Sequence, residues 1–119
     1  MKGEVNTDIG NIQIDREVIT DYAGYATMES SGVVGMASLN VKDGVIKLLK
    51  MENASRGVSV AIHDNSVSIK LHIIVAYGVS IRAVAQNVIE NVSKRVEMNT
   101  GLKVDKIVVM VDGVKVVDD

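Results

Sequence analysis

The sequence predicts an α+β fold, a small mixed β-sheet with a hairpin covered by two main helices in the order β-α-β-(α)-β-β-α-β. Two runs of alternating apolar and polar residues between positions 57 and 77, and a long valine-rich helical stripe behind Ser80, supply the two kinds of element. No Pro-, Gly- or Ser-rich linker divides the chain, so helices and strands share one layer pair in a single domain over residues 1–119. A domain of that length buries roughly two-thirds of the surface its unfolded chain exposes. Apolar residues make up 47% of the chain with no Phe, no Trp and three Tyr, so the core is aliphatic and β-branched.

Taken in order, Ile9, Ile12 and Ile14 suit a short strand, and Asp15 stands where a helix N-cap stands, ahead of Arg16-Glu17-Val18. Val18, Ile19, Tyr22, Ala23, Tyr25, Ala26 and Met28 recur at helical spacing, with Arg16, Glu17, Thr20, Asp21 and Thr27 on the other side. Ser30-Ser31-Gly32 ends this helix, and Val33-Val34-Gly35-Met36 reads as a short strand. After an Asp43-Gly44 turn, Val45 to Lys50 fits either a turn or two of helix or an irregular strand, and Glu52 to Arg56 reads as loop.

Val58, Val60 and Ile62, then Val67, Ile69, Leu71, Ile73 and Val75, form two strands with one apolar face each. A two-residue turn at Asp64-Asn65 pairs His63 with Ser66 and Ala61 with Ser68, placing both apolar sets on one side. Gly78 breaks the second strand and Ser80 caps a long helix. Ile81, Val84, Ala85, Val88, Ile89, Val92, Val96 and Met98 form its apolar side, and Gly101 stops it. Val104 to Asp112 is the last strand. Its run Ile107-Val108-Val109-Met110-Val111 is apolar on both parities, which suits a central strand covered on both faces or an edge buried in an oligomer. Asp112-Gly113 turns the chain, and Val114, Val116 and Val117 add a short pairing segment; residues 1–8 and 114–119 are expected to be flexible or partly ordered ends.

A net charge of −2 provides no basic field to attract nucleic acid or an anionic membrane surface. Zero cysteines exclude disulfides, a thiolate nucleophile and cysteine-based zinc sites. The opening Met1-Lys2-Gly3-Glu4-Val5-Asn6 has no apolar stretch behind its lysine, which speaks against a secretory signal and for the cytoplasm. No apolar run approaches the ~20 residues that span a bilayer, so membrane contact is peripheral, through a partner.

The search for chemistry is mostly negative. His63 and His72 lie roughly 20 Å apart along one strand face, too far to share a metal ion, and read as strand histidines that are solvated or hydrogen-bonded. Asp8, Asp15, Asp21 and Asp64 sit at turns or helix starts, where capping explains them. Ser30-Ser31-Gly32-Val33 does not form a nucleophile elbow, and the dispersed glycines match no phosphate-binding loop. The expectation is therefore no catalytic residue, no metal and no cofactor. Arg82, in the first turn of the long helix, is the candidate anion contact. Tyr22, Tyr25 and Tyr77 read as core-rim packing, and without a Gly-x-x-Gly clamp or an aromatic strand motif an RNA-binding domain has little support.

The stretch Val75-Ala76-Tyr77-Gly78-Val79-Ser80-Ile81, continued through Val84-Ala85, Val88, Val92 and Val96 to Thr100-Gly101-Leu102-Lys103-Val104, resembles the alkaline-shock-protein family. Ile12 to Ile19, with Ala23, Ala26, Gly32-Val33 and Gly57 to Val60, agrees with the family's opening strand, helix and hairpin entry, whereas residues 37–56 match poorly. The resemblance implies a small cytoplasmic protein of Gram-positive-type bacteria linked to envelope stress or lipid metabolism. It brings no catalytic residue; Tyr77, Gly78, Thr100 and Gly101 are expected to be structural. Members tend to self-associate or to attach to the membrane through a partner, while this chain lacks the long charged extensions of larger members.

The function expected is that of a non-enzymatic scaffold that forms a homo-oligomer or holds an envelope or lipid-metabolic protein. Its surface is expected along Ile107, Val109, Val111, Val114 and Val116, where apolar residues exceed what one helix-covered face requires. The alternative is a carrier of an acyl chain or anionic metabolite, held between the long helix and the sheet with Arg82 or Lys70 at the mouth.

Overall fold

The computed structural model of the protein describes residues 2–40 and 45–117. Strand β1 (Lys2–Asn6) pairs antiparallel with β2 (Asn11–Asp15), and helix α1 (Arg16–Met28) follows directly. Strands β3 (Val33–Asn40) and β4 (Val45–Leu49) form an antiparallel pair, and a 3₁₀ segment (Met51–Gly57) leads to the hairpin of β5 (Val58–His63) and β6 (Ser66–Ala76). Helix α2 (Ile81–Thr100) then returns the chain to β7 (Lys103–Lys115).

The five-stranded sheet is organised around β6. At roughly 3.3 Å per residue, its eleven residues are long enough to hold two partners in tandem. β5 pairs with its first half, Val58 opposite Leu71 through His63 opposite Ser66, and β3 with its second, Met36 opposite Ile73 and Val33 opposite Val75. The other side of β6 belongs to β7, which runs parallel to it from Ser66 opposite Lys103 to Ala76 opposite Lys115. The crossover that a parallel pair requires is α2.

Alternation along β6 decides the faces. Val67, Ile69, Leu71, Ile73 and Val75 are buried and pack with Ile19, Ala23 and Ala26 of α1 and with Val84, Val88, Val92 and Val96 of α2. Both helices thus lie on one face of the sheet. Ser68, Lys70 and His72 lie on the opposite face.

The hairpin register is as the sequence predicts, Asp64-Asn65 turn included; Asp64 takes the left-handed φ of 52° that the tight turn needs. Helix α2 also starts and stops where predicted. Ser80 Oγ accepts from the Ala83 amide at 3.2 Å, and Gly101 adopts φ 77°, donating its amide to the Glu97 carbonyl at 3.0 Å.

Elsewhere the structure corrects the expectation. The buried row of α2 is narrower than predicted: Val84, Val88, Val92, Val96 and Thr100 recur every fourth residue, leaving Ile81, Ile89 and Met98 exposed. On α1, Val18 and Tyr25 are exposed, while Thr20 and Thr27, assigned to the polar side, are buried. Their hydroxyls donate to the Glu17 and Ala23 carbonyls at 2.9 and 2.7 Å, so they bury much as valines do.

Asp15 occupies the N-cap but makes no side-chain cap bond; its carboxylate lies 3.9 Å from the Lys2 ammonium across the first hairpin. The segment left between helix and strand at Val45 to Lys50 is strand β4 up to Leu49, and the predicted loop at Glu52 to Arg56 is 3₁₀ helix, packed where Gly24 of α1 meets Ala54. The predicted Asp43-Gly44 turn lies outside the described residues. Strand β3 runs well past Met36. At the start of the chain, β1 makes Lys2 to Asn6 a regular strand, docked through Gly3 against Leu102 and through the Glu4 amide on the Asp64 carbonyl at 3.3 Å.

Candidate functional site: an unpaired strand edge

β7 is thirteen residues long, and among the described residues it pairs with β6 alone. Of the two positions open to it from sequence, covered on both faces or at an edge, it takes the edge. Nor does the chain turn at Asp112-Gly113: both residues lie within the strand, which continues to Lys115. The register against β6 slips by one between Val104 and Lys106 and again between Val111 and Gly113, so Asp105 and Asp112 are the extra residues of two bulges.

Between the bulges, Lys106 to Val111 follow β6 one for one. Ile107, Val109 and Val111 lie on the helix-covered face, opposite Ile69, Leu71 and Ile73, and pack against the core. They belong to the fold, not to an apolar outer surface. Val108 and Met110 take the open face, opposite Lys70 and His72, and Met110 is exposed. Val114 and Val116 are exposed at 53% and 67%, and Val117 with them. The free feature is therefore a backbone edge with Val108, Met110, Val114 and Val116 beside it.

Two side-chain contacts hold the edge in place. Glu97 Oε2 accepts from the Val104 amide at 2.9 Å, tying the start of β7 to α2. His72 Nδ1 bonds Asp112 Oδ2 at 2.7 Å, pinning the second bulge to β6, with both side chains mostly buried. His63 sits exposed beside the hairpin turn at the far end of β6. The histidines are thus separate, and His72 has a carboxylate partner forty residues away in sequence.

The other sequence-predicted residues are scattered. Arg82 is exposed in the first turn of α2. Tyr77 is 74% exposed, and its amide donates to the Lys115 carbonyl at 2.9 Å, so its backbone rather than its ring fastens the end of β7. Gly78 follows with φ 91°. Thr100 is buried, donating to the Val96 carbonyl at 2.6 Å and accepting from the Leu102 amide at 3.1 Å, which with Gly101 closes the helix end.

On the open face, Ser59, Ala61, Ser68, Lys70, Lys106 and Val108 line a shallow hollow of about 250 Å³. A second groove of about 370 Å³ runs between the helices beside Asn91, Lys94 and Met98, crossed by the 2.6 Å Arg95–Glu29 ion pair. Where α2 faces the sheet, Val88, Val92, Val96, Leu71 and Ile73 are wholly buried and fill the space. Among the described residues no group of three or more His, Cys, Asp or Glu is placed to hold a metal ion, and every buried side-chain nitrogen or oxygen has a partner. Among the described residues no helix is long and apolar enough to cross a membrane.

What sequence reasoning missed are the bulges and their charges. Asp105 reads as an ordinary position of the last strand and Asp112 as its end and turn, and only the register against β6 shows that each is the extra residue of a bulge.

Residues 4–116 match the model of a family described as the ASP23 family, cell envelope-related function. The chain is 44% identical to the uncharacterized protein YloU of Bacillus subtilis (strain 168), over 98% of each chain. It is 37% identical to the uncharacterized protein Spy1614 of Streptococcus pyogenes serotype M6, over 100% of this chain and 99% of the other. It is 33% identical to a second Bacillus subtilis protein, uncharacterized YqhY, over 92% of this chain and 81% of that one. No solved structure matches the chain.

Proposed function

The chain belongs to this alkaline-shock-protein family of cell envelope-related function, and from that premise we propose that it is a non-enzymatic binding and scaffold protein, acting through self-association and a protein partner. The observation that carries the proposal is the β7 edge: thirteen residues that pair, among the described residues, with β6 alone, with an uncharged run from Ile107 to Val111. Such an edge presents a row of unpaired amides and carbonyls, and a soluble protein either blunts it or covers it. Here the blunting devices, two bulges with their aspartates and Lys103, Lys106 and Lys115, sit at the two ends and leave the middle open.

In this reading the protein works in the cytoplasm, and a partner rather than its own helices brings it to the envelope. Size-exclusion chromatography with light scattering over a concentration series, followed by capture from cytosol and membrane extracts, tests it. A species of two or more chains, or one partner captured by the wild type and lost when Met110 becomes Lys, supports the scaffold. A strict single-chain mass with no such capture removes it.

The carrier reading has less support. Its pocket between α2 and the sheet is occupied by wholly buried valines, and Lys70 opens instead onto the shallow hollow of the other face. Acyl or phosphorylated species retained in native mass spectrometry of the protein from its host would restore it.

A further inference from the structure

We propose that the β7 edge pairs with the β7 edge of a second copy of this chain, antiparallel and centred on Val109. The proposal rests on the self-association reading above and specifies its partner and geometry. Three physical constraints lead to it.

The first is which edge. β4 has five residues and carries Lys47 in its middle, and β5 has six, whereas β7 has thirteen with five consecutive uncharged residues. An edge of that kind, left open, is a template for uncontrolled pairing.

The second is symmetry. Two identical strands that pair antiparallel are related by a twofold axis normal to the sheet, and such an axis preserves faces. Residues opposite each other must then come from the same face, which limits the centre to a residue that meets its own copy. Ile107, Val108, Val109 and Met110 are the candidates with an unbulged neighbour on each side, and Ile107 drops out because it sets Asp105 against Val109.

The third is chemistry. A centre at Val109 sets Ile107 against Val111 on the helix-covered face and Val108 against Met110 on the open face, and closes each end with Lys106 opposite Asp112. Opposite charges across a strand pair stabilise it. The 2.7 Å bond from His72 already holds Asp112 on the open face, the face of Lys106. A centre at Val108 instead brings Asp112 against Val104 and Asp105 against Val111; a centre at Met110 brings Asp112 against Val108. Both bury a carboxylate against an apolar neighbour. The Val109 register also keeps the Asp105 bulge outside the paired stretch and places the Asp112 bulge at its closing pair, and it joins the two open faces, hollows included, into one continuous surface.

The absence of cysteine makes the test clean. Residues directly opposite in an antiparallel pair have Cα atoms about 4.5–5.5 Å apart, within disulfide reach, while a two-residue offset puts them beyond the ~7 Å limit. Single variants Val108→Cys, Val109→Cys and Met110→Cys are oxidised and resolved without reductant, with circular dichroism confirming that each folds. The expected result is a covalent two-chain species from Val109→Cys, none from either of the others alone, and a mixed one when Val108→Cys and Met110→Cys are combined. If light scattering shows association but Val108→Cys or Met110→Cys cross-links to itself, or nothing on β7 cross-links, the register is overturned while the scaffold reading stands. A single-chain mass at every concentration overturns the pairing and self-association together, and the scaffold reading then rests on a captured partner alone.

Discussion

Gly101 shows how much of this fold rests on single backbone positions. Its φ of 77° lies in the left-handed region, where a Cβ costs roughly 1–2 kcal/mol, and its amide closes the last turn of α2 immediately before the chain enters β7. Gly101→Ala is expected to lower stability by about that amount in urea unfolding, with no change in the slope that reports exposed surface. His72 acts differently. Replacing it by Ala leaves the Asp112 carboxylate, 20% exposed, without its partner at the second bulge. A cost of about 1–3 kcal/mol follows from an unsatisfied, mostly buried acceptor. The same change loosens the end of β7 where Lys106 of a second copy would meet Asp112, so both thermal unfolding and the tendency to associate should fall.

Among the elements, α2 and β7 divide the work between stability and association. Val92 is wholly buried in the four-residue row that α2 turns toward the sheet, and Val92→Ala is expected to cost about 2–3 kcal/mol, whereas Met98→Ala, 74% exposed, should stay within about 0.5 kcal/mol. β7 separates by residue in the same way. Val109→Lys drives a charge against the core and should destabilise the monomer itself; Val116→Lys, beyond the last paired residue, should leave chemical denaturation unchanged.

How far these elements were legible follows from what each signal encodes. The β5–β6 hairpin and α2 could be read because period-two alternation, the Ser80 cap and Gly101 are local. β1 could not, because Lys2 to Asn6 lacks a run of apolar residues; it is a strand by its ladder to β2, and Gly3 seats it against Leu102, a contact across the chain. The exposed Ile81 and Ile89 misled for the reverse reason: helical spacing shows which residues share a face, but the width of the buried stripe is set by the sheet below. The apolar excess of β7 is visible in the sequence, yet reading Ile107, Val109 and Val111 as an outer surface puts them on the wrong face, since parity alone cannot tell which face the helices take.

In the whole molecule, both helices on one face leave β6 central, β7 at one margin and, turned away from the helices, a sheet face with serines, lysines and the exposed Met110. Pairing β7 with its copy would remove the longest free edge and double that open face while leaving the helix layers untouched, a way to build a scaffold from a minimal domain. The most direct measurement is light scattering on the wild type and on Met110→Lys over the same concentration series. Met110 is exposed on the open face, so the variant should fold, and a lysine on a strand edge opposes pairing. Association through β7 requires the wild type to rise from its 12.8 kDa chain mass toward twice that value while Met110→Lys remains at one chain. A wild type that stays at one chain throughout, or a variant that associates as well as the wild type, would contradict it.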